Sequence, residues 1–105
     1  MQNIVVRNPE SGLLELHFIV SADDLGDAGA AIVESFDAAV NEYRSNQHFG
    51  GEMLFVVRGT APGDTLPPEL AAVQSTLDAR LAQTPARTAS GHPIQARIEY
   101  WESPF

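Results

Sequence analysis

The stretch QTPARTASG, Gln83 to Gly91, sets a single arginine among small residues just behind a proline. A rigid proline followed by an arginine, in a loop that enters a strand, can aim a guanidinium in a fixed direction. The planar fork of arginine matches a carboxylate or phosphate through two parallel hydrogen bonds. Arg87 is therefore the leading candidate for an anion contact, and the competing reading is a solvated surface arginine. Of the three histidines, His17 has the best claim to a pocket, because it falls on the less apolar face of an alternating segment. The closing run EYWESPF places Tyr100, Trp101 and Phe105 within a few residues of each other. Aromatic side chains anchor interfaces, so an aromatic on the outer face of a strand points to a covered face.

Other chemistries lack their local patterns. His17, His48 and His92 are far apart, and none has a second ligand at helical spacing, so no metal is expected. There is no G-x-S-x-G elbow. Gly50-Gly51 precedes a strand rather than a helix, the reverse of a phosphate-cradling loop, and no cofactor is expected. With no cysteine in the chain, thiol chemistry and disulfides are excluded, which fits a cytoplasmic location. The first ten residues lack the basic start and apolar run of a signal peptide. The net charge is −8, all six basic residues are arginine, and eight acids with no Lys or Arg lie between Asn8 and Tyr43. Such a balance argues against nucleic acid, whose binding depends on neutralising phosphates. No apolar run approaches the ~20 residues of a membrane span. The acidic polar face of the first helix has the wrong sign for an anionic membrane surface.

These residues need elements to hold them. At 105 residues the chain is read as one α/β domain. IVV near the N-terminus marks a strand, NPESG a turn, and LLELHFIV a second strand whose Leu14, Leu16, Phe18 and Val20 share one face. Ser21 and Asp24 resemble a helix-capping box, though Gly26 and Gly29 shift the expected helix start toward Asp27. Ile32, Val33, Phe36, Val40 and Tyr43 then recur at helical spacing. The glycines of NQHFGG are expected to cap that helix. EMLFVVRG is apolar enough for a central strand covered on both faces or at least paired on both edges. A second helix opens at LPPEL, carries Leu70, Val73, Leu77 and Leu81 inward and stops at Pro85. PIQARIEYW alternates again, and ARTAS is expected to pair with IQARI across GHP. The second and third strands, joined through a helix, should run parallel with a right-handed crossover. The fold expected is α+β: a two-layer α/β sandwich, with two helices on one face of a mixed sheet.

This order of elements, with HFIVSADD, GEMLFVVRG, PART at Pro85–Thr88 and ARIEYWE, resembles the Rid/YjgF family of reactive-intermediate deaminases, with its chorismate-mutase-like fold. The resemblance covers most of the chain, and PART is its most specific motif. It implies a homo-oligomer, a trimer, with ligand clefts between subunits. It further implies that Arg87 holds the carboxylate of a small anionic metabolite and that a glutamate of the last strand assists water in imine or enamine hydrolysis. Arg97, Glu99 or Glu102 could occupy that last position. Glu99 and Glu102 are thus the candidate acid/base groups, with Tyr100 or Trp101 as an apolar wall and His17 nearby. A reading of another class makes the chain a non-catalytic interaction module of inhibitor or immunity type. There the acids of the first helix, Asp27, Glu34, Asp37 and Glu42, would meet a basic protein partner.

Overall fold

The computed structural model describes residues 2–21, 25–59, 66–83 and 87–102. Four strands and two helices alternate as β1 (Gln2–Arg7), β2 (Leu14–Ser21), α1 (Leu25–Tyr43), β3 (Phe49–Gly59), α2 (Pro68–Gln83) and β4 (Gln95–Glu102). The strands form one mixed sheet in the order β1-β2-β3-β4. β1 runs antiparallel to β2, while β2–β3 and β3–β4 are parallel and joined through α1 and α2. This is the α+β sandwich expected from the alternation of patterns. The capping box expected at Ser21 and Asp24, the TAPGDT loop, Pro85 and Phe105 lie outside the described residues or side chains.

Alternation decides which face of the sheet is buried. Leu16, Met53 and Ala96 form one cross-strand row, Phe18, Phe55 and Ile98 the next, and Val20, Val57 and Tyr100 a third. All nine are buried. The Phe18 and Phe55 rings stack across β2 and β3 with centroids 4.6 Å apart. Onto this face α1 sets Ala28, Ile32, Phe36 and Ala39, and α2 sets Leu70 and Leu77. Val33, Val40, Tyr43, Val73 and Leu81 pack at the margin. The helical stripes read from the sequence are thus the faces that meet the sheet.

The helices approach closely. A Cβ on Gly29 would lie 2.7 Å from Val73 Cγ2, so this glycine, costly to helix propensity, is what lets α1 sit against α2. The helix begins at Leu25, ahead of the start expected near Asp27. Arg80 Nη1 spans the two helices to reach Asp37 Oδ1 at 2.8 Å and Oδ2 at 2.7 Å, with both side chains about half exposed. Such an exposed pair contributes at most ~1 kcal/mol. Pro68 is the first residue of α2, where its missing N–H costs nothing, and Pro67 O accepts from Ala71 N.

Two expectations are corrected. Gly50 and Gly51 do not cap α1; they lie inside the first turns of β3. Gly51 has φ +91°, and a Cβ there would run into the Pro93 carbonyl. Gly51 therefore serves the approach of the segment leading into β4, while Gly50 lies against Leu13; Asn46 N to Tyr43 O closes the helix end. The hairpin expected between ARTAS and IQARI shrinks to one bridge, Arg87 to Pro93. Gly91, at φ +87°, turns the chain too early for a longer ladder.

β4 is an edge strand, and α2 covers part of its free edge. Gln74 Nε2 donates to Ala96 O at 3.0 Å, and Gln74 Oε1 accepts from Ile98 N at 2.8 Å. One side-chain amide thus replaces one residue of a fifth strand, a local answer to the exposed edge that sheets must protect. Gln74→Ala leaves both backbone groups half-buried and unpaired. It should cost about 1–2 kcal/mol of stability in urea unfolding, by the usual cost of lost partners.

Candidate functional site

Both helices lie on one side, so the odd-numbered residues of β2 and β4 and the even-numbered residues of β1 and β3 line an open face. Among the described residues no element covers it. Its rows follow from the strand register. Ile4, His17, Leu54 and Arg97 are neighbours across the sheet, and Ile19, Val56 and Glu99 form the next row. Arg58 and Trp101 pair beyond them, toward the C-terminal ends of β3 and β4. Glu15, Glu52 and Gln95 lie at the opposite end, where β2 and β3 shift register between Leu14 and Leu16. The middle is apolar: Val56 is buried, Leu54 and Ile19 are half-buried, and Ile4 is 37% exposed.

A cavity of about 500 Å³ occupies the Glu15 end of this face. Glu15, His17, Glu52, Leu54, Gln95 and Arg97 line it, and it extends around the start of β4 to Asp78 of α2. The Glu15 and Glu52 carboxyls lie side by side, close enough to hydrogen-bond when one of them is protonated. Two carboxylate oxygens cannot bond without a proton between them, so the pair favours a shared proton. The Glu15 pKa is accordingly raised above the usual carboxylate value, first by the hydrogen bond to Glu52, then by burial and by the Glu52 charge. His17 and Arg97 act in the opposite direction. A protonatable carboxyl, a second carboxylate, an imidazole and a guanidinium converge here on one wall.

The candidates from the sequence distribute unevenly. His17 lines the cavity. Arg97 is 71% exposed and bonds Glu99 Oε1 through Nη2 at 3.2 Å. Trp101, 55% exposed, donates from Nε1 to Glu99 Oε2 at 3.3 Å. Tyr100 lies on the other face, buried in the core against the helices, and so cannot wall a site with Trp101. The backbone of Glu102 pairs with Gly59 at the far end of β4. Arg87 is exposed, and its bridge to Pro93 puts it beside the N-terminal end of β4, on the same face as Gln95 and Arg97. Its Nη1 donates to Gly91 O at 3.2 Å. Pro93 to Glu99 is six residues, roughly 20 Å of extended chain. Within one chain Arg87 and Glu99 therefore cannot hold the same small molecule. The carboxyls near Arg87's end are Glu15 and Glu52.

Neither of those two is conspicuous in the sequence. Glu15 shares His17's face by alternation, which was a usable signal. Glu52 joins it only through a parallel register that no local pattern encodes.

No protein-family model, curated protein or solved structure matches the chain.

The turn that carries Arg87 is firmly built. Thr88, the buried polar residue of the described chain, donates N–H to His92 O at 2.9 Å, and its hydroxyl lies 2.5 Å from Ser90 Oγ. Ser90 Oγ donates to Phe49 O at 2.8 Å and lies 3.0 Å from His92 Nδ1. Ala89 N donates to Arg44 O at 2.9 Å. These bonds tie the turn to the end of α1 and the start of β3, so Arg87 has a rigid base. His92 serves the turn, as its place before a proline suggests.

Of the acids on α1, Asp27, Glu34 and Glu42 are exposed, but Asp37 is neutralised by Arg80. Glu34 and Glu69 rim a shallow groove between the helices. Among the described residues no group of three or more metal-ligating side chains is placed to hold an ion. No described helix is long and apolar enough to cross a membrane.

The raised pKa has a signed consequence. The folded chain holds a proton on Glu15 that the unfolded chain releases. The stability this adds is fully present below the unfolded value and is lost as pH rises through the folded one. Carboxyl chemical shifts should show Glu15 titrating above an ordinary glutamate in the native chain. Glu52→Gln should return it toward the ordinary range, and the stability of this variant relative to native should increase as pH rises from the ordinary glutamate value through the raised folded-state value.

Proposed function

We propose that the protein binds a small carboxylate-bearing metabolite in the cavity at the Glu15 end of the open face, within a homo-oligomer whose copies meet on that face. The observation that carries this reading is the convergence of the Glu15–Glu52 pair, His17 and Arg97 in one cavity. Arg87 does not line that cavity; it stands on a turn bridged to Pro93, ahead of the first residue of β4. Arg87 grips the ligand carboxylate from the rim, and Arg97 offsets a charge balance that Glu15, Glu52 and Asp78 otherwise make negative. A ligand that also carries an imine or protonated nitrogen places that cation against the carboxyls. Imine or enamine hydrolysis is the chemistry this set can support: one carboxylate takes a proton from water as it adds to the C=N carbon. The other carboxyl protonates nitrogen, giving a carbinolamine. The carbinolamine hydroxyl proton then passes to that second carboxylate while the first returns its proton to nitrogen, so that C=O forms as the C–N bond breaks and ammonia or an amine leaves. In this assignment the acid/base pair is Glu15 and Glu52 rather than Glu99 or Glu102. The resemblance to Rid/YjgF proteins supports the reaction class and a cytoplasmic setting.

The alternative, an acidic docking module for a basic protein, is left with a divided surface, since Asp37 is already paired.

Titration calorimetry with small 2-oxo acids, the products of such a hydrolysis, tests the site. Wild type should bind them, Arg87→Ala should weaken binding by roughly tenfold, the scale of one charge-assisted contact. Glu52→Gln should retain binding but lose imine turnover. Equal binding by wild type and Arg87→Ala would remove Arg87 from the site, and no binding by wild type would remove the ligand class.

A further inference from the structure

Along β3 and β4 the open face carries its charges in a self-complementary order. Along β3 the outward residues run Glu52, Leu54, Val56, Arg58, and along β4 they run Gln95, Arg97, Glu99, Trp101. Each series has a charge at one position and the opposite charge at the position reflected through its midpoint: Glu52 against Arg58, Arg97 against Glu99. We propose that two copies of this chain pack open face to open face, about a two-fold axis that lies across the strands between the His17 row and the Ile19 row. The pairing rests on the proposal above that a second copy covers this face.

Such an axis sets β3 on the partner's β3, running in the opposite direction. Leu54 meets Val56 of the partner subunit, and the apolar middle of one face closes on the other. Glu52 faces the partner's Arg58, and Arg97 faces the partner's Glu99, each contact occurring twice by symmetry. The Arg97–Glu99 pair within each copy, at 3.2 Å, becomes part of an alternating four-charge cluster. The cavity end of each face is roofed by Arg58 and Trp101 of the partner subunit. This covers the Trp101 ring and brings an arginine to a cavity with more acids than bases.

The other in-plane two-fold, along the strands, is disfavoured by the same map. It would lay the Glu15 and Glu52 end of one copy on the same end of the other and crowd four carboxylates together. A two-fold assembly also replaces the trimer that the family resemblance implies. Size permits it: with strands about 4.8 Å apart and a rise of about 3.3 Å per residue, the face measures roughly 19 by 23 Å in plan. Side-chain relief raises that toward the ~800 Å² per partner of a stable dimer. Aligned sheets pack about 10 Å apart and within about 30° of each other, so the central β3 contacts keep their register best.

Charge reversal reads this geometry directly. Within one chain Glu52 and Arg58 are six residues apart on an extended strand, roughly 20 Å, so they do not interact unless copies pair. Light scattering and sedimentation on the full chain should give a dimer for wild type. Glu52→Arg alone and Arg58→Glu alone should each weaken dimerisation by at least about tenfold, because each sets two like-charge contacts in the interface. The double variant Glu52→Arg with Arg58→Glu should regain dimerisation to within about threefold of wild type. Circular dichroism melts of all four chains confirm that each is folded. A wild type that stays monomeric to about 1 mM, forms a trimer, or dimerises equally well with either single reversal would overturn the pairing. None of these results depends on ligand. A dimer that binds no 2-oxo acid sinks the ligand reading and keeps the pairing, and a monomer that binds one does the reverse.

Discussion

The fold depends on β3 being hydrogen-bonded along both edges while helices cover only one of its faces. Two successive crossovers, through α1 and α2, return to the same side of the sheet. That side becomes the core: Met53, Phe55 and Val57 of β3 meet Ile32, Phe36, Leu70 and Leu77. The other side is left to whatever side chains the alternation puts there. β3 is apolar on both faces in its middle, so Leu54 and Val56 bring core-like chemistry to a face with no helix over it. Close packing of α1 on α2 at Gly29 and the Gln74 clamp on β4 hold the layers in this arrangement.

Electrostatics on the open face follow from cross-strand distance. Outward residues of adjacent strands lie close enough for direct contact. The Glu15 and Glu52 side chains are thereby set close together, which favours the protonated form of Glu15, although neither is deeply buried. Proximity, more than desolvation, raises the Glu15 pKa, and His17 and Arg97 temper it from the next row. One end of the face becomes acidic and protonatable while the other carries Arg58 and Trp101. The candidate chemistry and the candidate assembly both draw on that gradient.

Much of the fold was legible because it rests on short-range periodicity. The alternation in β2 and β4 and the stripes in α1 and α2 each mark an inward face within a few residues of sequence. Pro68 at the start of α2 is legible for the same reason. The Gly50-Gly51 pair was misread as a helix cap because a positive-φ glycine looks alike at a helix end and at a crowded strand start. Only the Pro93 carbonyl, distant in sequence, distinguishes them. Arg87 was legible as an exposed arginine on a constrained loop. Its expected partner Glu99 was not, since along-strand separation is invisible until Pro93 is known to be its neighbour.

The amino-acid sequence by itself determined which residues face inward, how many elements form and in what order, because those follow from local period and turn chemistry. It also placed Trp101 on the face away from Tyr100, by the alternation of the last strand. The tertiary structure alone decided which charges meet. Parallel strands joined through helices have no turn to set their register, so packing against α1 and α2 sets it. That packing brings Glu52 to Glu15, and it puts Tyr100 in the core while Trp101 remains on the open face.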